Sequence, residues 1–224
     1  MRIARTALTA AALAGLLGPL TTHAASAAAH APGDTVTLSV REALAQLPVR
    51  TEDRTGYRRT LFRHWVDADK DGCNTRNEVL LEEAVVAPEQ TGTCTLTGGS
   101  WFSPYDDCTV DGPRGLDIDH LVPLAEAWDS GASAWSPAER EAYANDLGDA
   151  RDLIAVSAAS NRSKADQDPA TWLPTAVGYR CTYVANWVAD KSRWGLAIDP
   201  AERAALGGLL EDCPKIPVTV TFAR

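Results

Sequence analysis

Two short runs near the middle of the chain constrain its fold more than any other feature. Asp117 to Val122 alternates in character and ends at Pro123, and Leu153 to Ser157 is an apolar run bounded by polar residues. Both read as short strands. Proline cannot donate to a ladder, so Pro123 turns the first strand into a helix that Gly131 ends. The flanking segments read mostly as helix. Ser39 with Glu42 makes a capping box that opens a helix through Leu47, closed by Pro48. Gly56 to Val66 and Glu78 to Val86 read as the next two helices. Ser136-Pro137-Ala138-Glu139 is a second capping box with proline at the first helical position. Tyr183 to Trp194 is amphipathic and stopped by Gly195, and Asp199-Pro200-Ala201-Glu202 starts the last helix. Thr93 to Trp101, around Gly98-Gly99, reads as a hairpin, and Val218 to Phe222 alternates like a terminal strand. The pattern predicts a single α+β domain, mostly helical, around a small sheet.

The N-terminus reads as an export address. Arg2 and Arg5 precede an apolar stretch, Ala7 to Leu20, and Ala25-Ser26-Ala27 matches an A-x-A cleavage site. Residues 1–27 are therefore expected to be a signal peptide, residues 28–37 a disordered Ala/Pro/Gly/Thr-rich segment, and residues 38–224 the folded domain. No later segment is apolar enough to cross a membrane, so the expected product is secreted. Cleavage removes two arginines and no acids, taking the net charge from −9 to −11. That balance argues against operator-like binding, yet is compatible with an enzyme that concentrates positive charge at one groove. All five cysteines follow the address, and no C-x-x-C pair suggests zinc, so disulfides are expected. Cys73–Cys94 and Cys181–Cys213 each bracket a compact local unit and are the expected pairs, leaving Cys108 over.

The stretch with chemical content is Leu116-Asp117-Ile118-Asp119-His120-Leu121-Val122-Pro123-Leu124. Its partner follows the second strand as Asn161-Arg162-Ser163-Lys164-Ala165-Asp166-Gln167-Asp168-Pro169. Phosphodiester hydrolysis needs a nucleophilic water, a base for its proton, and positive charge at the phosphorane. A carboxylate and an amide oxygen are hard ligands suited to Mg²⁺ or Mn²⁺. An imidazole titrating near neutrality suits the base. One aspartate, one histidine and one asparagine are thus a minimal one-metal nuclease set.

An apolar-Asp-His-apolar-apolar-Pro strand, a second apolar strand and Asn-Arg-x-Lys resemble the HNH nuclease motif, which also occurs in RNA-guided CRISPR effectors. The wider chain resembles secreted bacterial proteins related to the C-terminal domain of GmrSD-type restriction enzymes. Asp69-x-Asp71-Gly72-Cys73-x-Thr75-Arg76-Asn77, Ala125-x-Ala127-Trp128, Tyr143-Ala144-Asn145-Asp146, Trp172-Leu173-Pro174 and Tyr179-Arg180-Cys181 carry that likeness. The resemblance implies an α+β fold, mostly helical, around a small ββα-metal (HNH) core. It gives His120 the role of general base, and Asp119 and Asn161 those of metal ligands. The third position of the motif usually holds histidine or asparagine, and no histidine follows His120. Asp168, Gln167 and Asp166 stand open for it, and Asp117 shares a face with Asp119 as a rival ligand. Arg162, Lys164 and Arg76 are the candidate substrate contacts. The separation of His120 from Asn161 exceeds that of compact HNH motifs, and a helical insertion from Leu124 to Leu147 accounts for it. Neighbours on a strand face opposite ways, so Asp119 and His120 must sit where the strand ends or bends.

Blander roles compete for several of these residues. Asn161 suits a helix N-cap, and Arg162 and Lys164 suit a solvated helix face. His64, beside Trp65, reads as structural, and the tryptophans as core, with Trp172 singled out for base stacking. A second motif, Asp67-x-Asp69-x-Asp71-Gly72 with Glu78 at its twelfth position, matches a calcium loop except for Asn74 at its eighth. The reading is a secreted, monomeric, metal-dependent endonuclease of low sequence specificity. DNA is its expected substrate, with RNA left open. The alternative is a non-enzymatic calcium-binding module centred on Asp67, Asp69, Asp71 and Glu78.

Overall fold

The computed structural model describes residues 30–224, and the expected signal peptide lies outside the described residues. Strand β1 (Thr35–Ser39) pairs antiparallel with the last strand, β9 (Pro217–Thr221), so both ends of the domain meet in one ladder. Thr35 to Thr37, expected to be disordered, therefore form strand. Their hydroxyls reach across to Thr221 and Thr219 at 3.0 and 2.9 Å. Ser39 ends β1 and caps α1 (Val40–Gln46) through the reciprocal bond with Glu42 that the sequence predicts.

The next segment departs from expectation. Gly56 to Val66 is not a helix and holds only a 3₁₀ turn, Arg59–Leu61. Trp65 sits at φ 59°, which a helix cannot accommodate. Its aromatic residues explain the departure. Tyr57 and Phe62 pack on Trp128, while His64 and Trp65 pack on His120, so tertiary contacts on two sides pull the chain out of helix. Helix α2 runs from Thr75 to Glu82, earlier than expected, because Asn74 caps it by accepting from the Asn77 N–H. The β-branched residues that follow form β2 (Ala84–Val86).

Strands β3 (Glu89–Thr91) and β4 (Thr95–Thr97) pair together, while β2, β5 (Ser100–Ser103) and β6 (Cys108–Asp111) make a separate three-stranded sheet. The hairpin expected around Gly98-Gly99 does not form, since β4 and β5 belong to different sheets. Gly99, at φ 75°, lets the chain cross Pro88 and Trp101 where a Cβ would sit 2.9–3.0 Å from their atoms. Four small sheets replace the single one expected. The cystines are Cys73–Cys94 and Cys181–Cys213, with Cys108 free.

The central ladder pairs β7 (Leu116–His120) with β8 (Leu153–Ser157), both read correctly as strands. Helices α3 (Leu124–Asp129) and α4 (Pro137–Ala144) fill the connection between them, where a helical insertion was expected. Helix α5 (Ala158–Lys164) leaves β8 without a break, capped by Ser157. Then come α6 (Arg180–Trp194), ended by Gly195 in the left-handed region, and α7 (Pro200–Glu211) behind an Asp199 cap. The ladder separates two cores. Ile154 and Val156 join the larger one with Leu121, Trp128, Tyr183 and Trp187. Leu153 and Ala155 join the smaller with Leu80, Trp101, Leu116 and Ile118. Burial on both faces is why β8 reads as an unbroken apolar run. Among the described residues no helix is long and apolar enough to cross a membrane.

Candidate active site

The site is built where the β7–β8 ladder meets α5. Asp117 and Asp119 lie opposite Val156 and Ile154 and share one face of β7. Asn161 and Lys164, one turn apart on α5, turn toward that face. The Asn161 amide donates to Asp117 Oδ2 at 3.2 Å. Asn161 is thus inside the helix, and Ser157 rather than Asn161 is its N-cap. The expected opposition of Asp119 and His120 is resolved at the end of the strand. His120 is the last residue of β7, and both side chains line one open cleft of about 340 Å³ with Asn161, Arg162, Asp166 and Arg59.

Asp119 is 5% exposed and is held by two groups, Lys164 and Tyr105. Lys164 Nζ lies 2.9 Å from Oδ1 and 2.8 Å from Oδ2, and also donates to the His120 carbonyl at 3.0 Å. The Tyr105 hydroxyl donates to Oδ2 at 2.6 Å. Burial, and then the Asp119 charge, hold the Tyr105 phenol above its usual range, so it remains a donor. Burial raises the Asp119 carboxyl above the ordinary range, with Lys164 working against it.

His120 has a differently built environment. Its ring stacks on Trp65 at 5.4 Å, and Nε2 lies 2.9 Å from the Ala144 carbonyl at the end of α4. A carbonyl only accepts, so Nε2 carries the proton and Nδ1 keeps its lone pair. Nδ1 has no protein partner and is not among the sealed, unpartnered polar atoms. Burial lowers the imidazole to about 3, with Arg59, His64 and Lys164 adding to the effect. The ring is therefore neutral at neutral pH. A phosphate anion in the cleft would oppose those cations and strengthen it as a base.

Several expected site residues stand elsewhere. Lys164 is completely buried in its ion pair with Asp119, not on a solvated face open to phosphate. Arg76 donates to the carbonyls of Pro113 and Leu116, bracing the start of β7 instead of facing substrate. Asp168 does not line the cleft. Its Oδ1 accepts from the Ala170 and Thr171 amides, and its carboxylate gathers with Glu52 and Asp199. Asp117 and Asp166 are the carboxylates at or beside the cleft. Arg162 is exposed on its rim, 3.7 Å from Asp117. Trp172 is half-buried on Tyr105 and Tyr183, with Nε1 bonded to Ser163. His64 is 6.4 Å from the His120 ring and bonds the Phe62 carbonyl. Tyr105 and the Ala144 carbonyl left no trace in the sequence reading. Arg59 could have been sought among the basic residues preceding Phe62.

The donor set fits a hard divalent ion. Asp119 and Asn161 bring a carboxylate and an amide oxygen to one open cleft with Asp117 next to them, and a cation with few protein ligands and retained waters is the Mg²⁺ pattern. The Asp67–Glu78 loop contributes nothing to this cleft. Within the loop, Asp67, Asp69 and Asp71 bring carboxylate oxygens within 4.8 Å of one another. The Gly72 amide donates to Asp67 Oδ2 at 3.1 Å. Glu78 stands close enough that burial, then Asp69, Asp71 and Asp67, raise its carboxyl.

A secreted protein of undetermined character from Arthroderma benhamiae is 42% identical over 171 residues, covering 76% of this chain and 82% of that one. No solved structure matches. The sequence matches the family described as GmrSD restriction endonucleases, C-terminal domain, over residues 38–209. With that span matched, the chain belongs to the GmrSD restriction endonuclease C-terminal domain family.

Proposed function

We propose that this protein is a secreted, metal-dependent endonuclease that hydrolyses phosphodiester bonds of DNA, with RNA as a second substrate to test. The β7–β8–α5 unit serves as its ββα-metal core. The observation that carries the reading is the convergence of Asp119, His120 and Asn161 on one cleft, with the His120 tautomer set by the Ala144 carbonyl. Asp119 and Asn161 hold Mg²⁺ or Mn²⁺, and Asp117 supplies a further oxygen. When bound, the ion supplies positive charge at the phosphate and leaving oxygen. His120 Nδ1 takes the proton of the attacking water. Lys164 and Tyr105 keep Asp119 ionised and oriented. Arg59 and Arg162, on the cleft rim, draw the phosphate backbone in. Basic groups that hold phosphate carry no sequence information, which favours low sequence specificity. Export is supported by the two disulfides and by the secreted relative, and the acting form is taken to be a monomer.

The test is plasmid cleavage by purified protein with Mg²⁺, Mn²⁺ or Ca²⁺ against a chelator. Asp119→Ala and Asn161→Ala should raise the ion concentration needed for half activity. Cleavage that persists in chelator, or metal titrations unmoved in both variants, would reject the assignment. The Asp67–Glu78 loop is proposed as a separate structural calcium site, on the gathering of its four carboxylates. A protein that binds calcium there and cuts nothing would support the non-enzymatic alternative.

A further inference from the structure

A second group of acids stands one arginine away from the cleft. Asp166, on the cleft wall, is 3.5 Å from Arg54 Nη1, and Arg54 Nε donates to Asp129 Oδ2 at 2.6 Å. Asp129 and Glu126, three residues apart on α3, face the same way. Each commits one oxygen to a basic side chain. Glu126 Oε1 accepts from Lys191 Nζ at 2.7 Å and from the Ser130 hydroxyl at 2.6 Å. The remaining oxygen of Asp129, Oδ1, is sealed from solvent and has no partner, on a side chain only 2% exposed. Glu52, exposed and in no ion pair among the described residues, brings its carboxylate within 4.8 Å of both acids. Glu52 also forms a second triad, within the same distance, with Asp168 and Asp199.

We propose that Glu52, Glu126 and Asp129 form a divalent-cation site of the calcium class, distinct from the cleft and from the Asp67–Glu78 loop. Asp129 Oδ1 is the decisive atom, since a buried carboxylate oxygen without a donor is destabilised, and a cation standing against it removes that cost. The charge balance points the same way. Among the described residues, Glu126, Asp129 and Glu202 form their ion pairs with Arg54 and Lys191 alone, Arg54 is shared with Asp166, and Glu52, Asp168 and Asp199 form none. All the donors are carboxylate oxygens, two from α3 and one from the loop that follows α1. That irregular arrangement suits the flexible six- to eight-fold shell of Ca²⁺ better than the strict octahedron of Mg²⁺. The proposal does not depend on the nuclease reading.

Calorimetric Ca²⁺ titration of the chelator-stripped protein, parent against Glu52→Gln, tests it. Glu52 is exposed, in no ion pair among the described residues, and matched in shape by glutamine, so this substitution leaves the fold intact. The variant should lose one bound equivalent, or bind it at least about tenfold more weakly. The Asp69→Ala/Asp71→Ala protein should retain that equivalent. In chelator, Glu52→Gln should melt no lower than the parent, because it removes only like-charge repulsion. Unchanged stoichiometry and affinity in Glu52→Gln would overturn the proposal. Complete loss of calcium binding in the loop variant would overturn it equally.

Discussion

His120 shows how one position sets both chemistry and stability. Fixing Nε2 on a backbone carbonyl leaves Nδ1 as the only basic atom of the ring. His120→Ala should lower cleavage on the order of 10²–10⁴-fold, with the metal titration unmoved because the ring holds no ion. Turnover near the parent's would remove His120 from the mechanism. The same burial makes a pH prediction. The unfolded chain takes up a proton near pH 6.5 and the folded chain only near 3. The contribution of neutral His120 is therefore complete above about pH 6.5 and is lost as pH falls toward 3. Melting temperature should decline across that window more steeply in the parent than in His120→Ala. Lys164 is the other decisive residue. Lys164→Met strands a buried Asp119 charge and should destabilise by about 3–5 kcal/mol in denaturant melts, whereas Lys164→Met with Asp119→Leu should recover most of the loss. If the double variant is no better than the single, the pair is not the source of the cost. That Asp119, His120 and Asn161 belong together was legible from their residue types and order, and the fold brings them to one cleft. The burial of Lys164 was not, since a lysine on a short polar helix looks the same whether its ammonium meets water or a buried carboxylate.

At the scale of elements, legibility followed local physics. The capping boxes at Ser39, Ser136 and Asp199 lie within four residues and form as read. The segment from Gly56 to Val66 misled because its apolar residues serve partners on α3, α4 and β7 instead of one helical face. Contact between α2 and β8 offers a second pH test. Glu83, just after α2, accepts from the Ala155 amide at 2.8 Å, and burial pushes its carboxyl up to about 7. A raised carboxyl pKa makes its contribution complete below about 4.5 and lost as pH rises through 7. Glu83→Gln keeps an acceptor without the charge. It should be more stable than the parent by on the order of 2 kcal/mol at pH 8, the gap closing by pH 4.5. A gap independent of pH would show that Glu83 does not titrate in this range.

Across the whole molecule, the cystines and the β1–β9 ladder close the chain on itself. Cys73–Cys94 and Cys181–Cys213 span 21 and 32 residues, and each should stabilise by roughly 3–4 kcal/mol in the chain-entropy model. Reduction of both should lower the melting temperature by roughly 10–25 °C. An unchanged transition after complete thiol release would show that the bonds do not limit the unfolded chain. By itself the sequence determined the two central strands, the capped helices, and an aspartate, histidine and asparagine in nuclease order. Each of these is written in residue type and short-range spacing, where propensity, capping and donor chemistry act. Tertiary structure alone decided that β4 and β5 part into different sheets and that Asp168 joins Glu52 and Asp199 and not Asp119. It also decided that Tyr105, Lys164 and the Ala144 carbonyl hold the two halves of the site. Those outcomes depend on which distant groups burial brings together, and a buried charge takes whatever partner the packed fold presents to it.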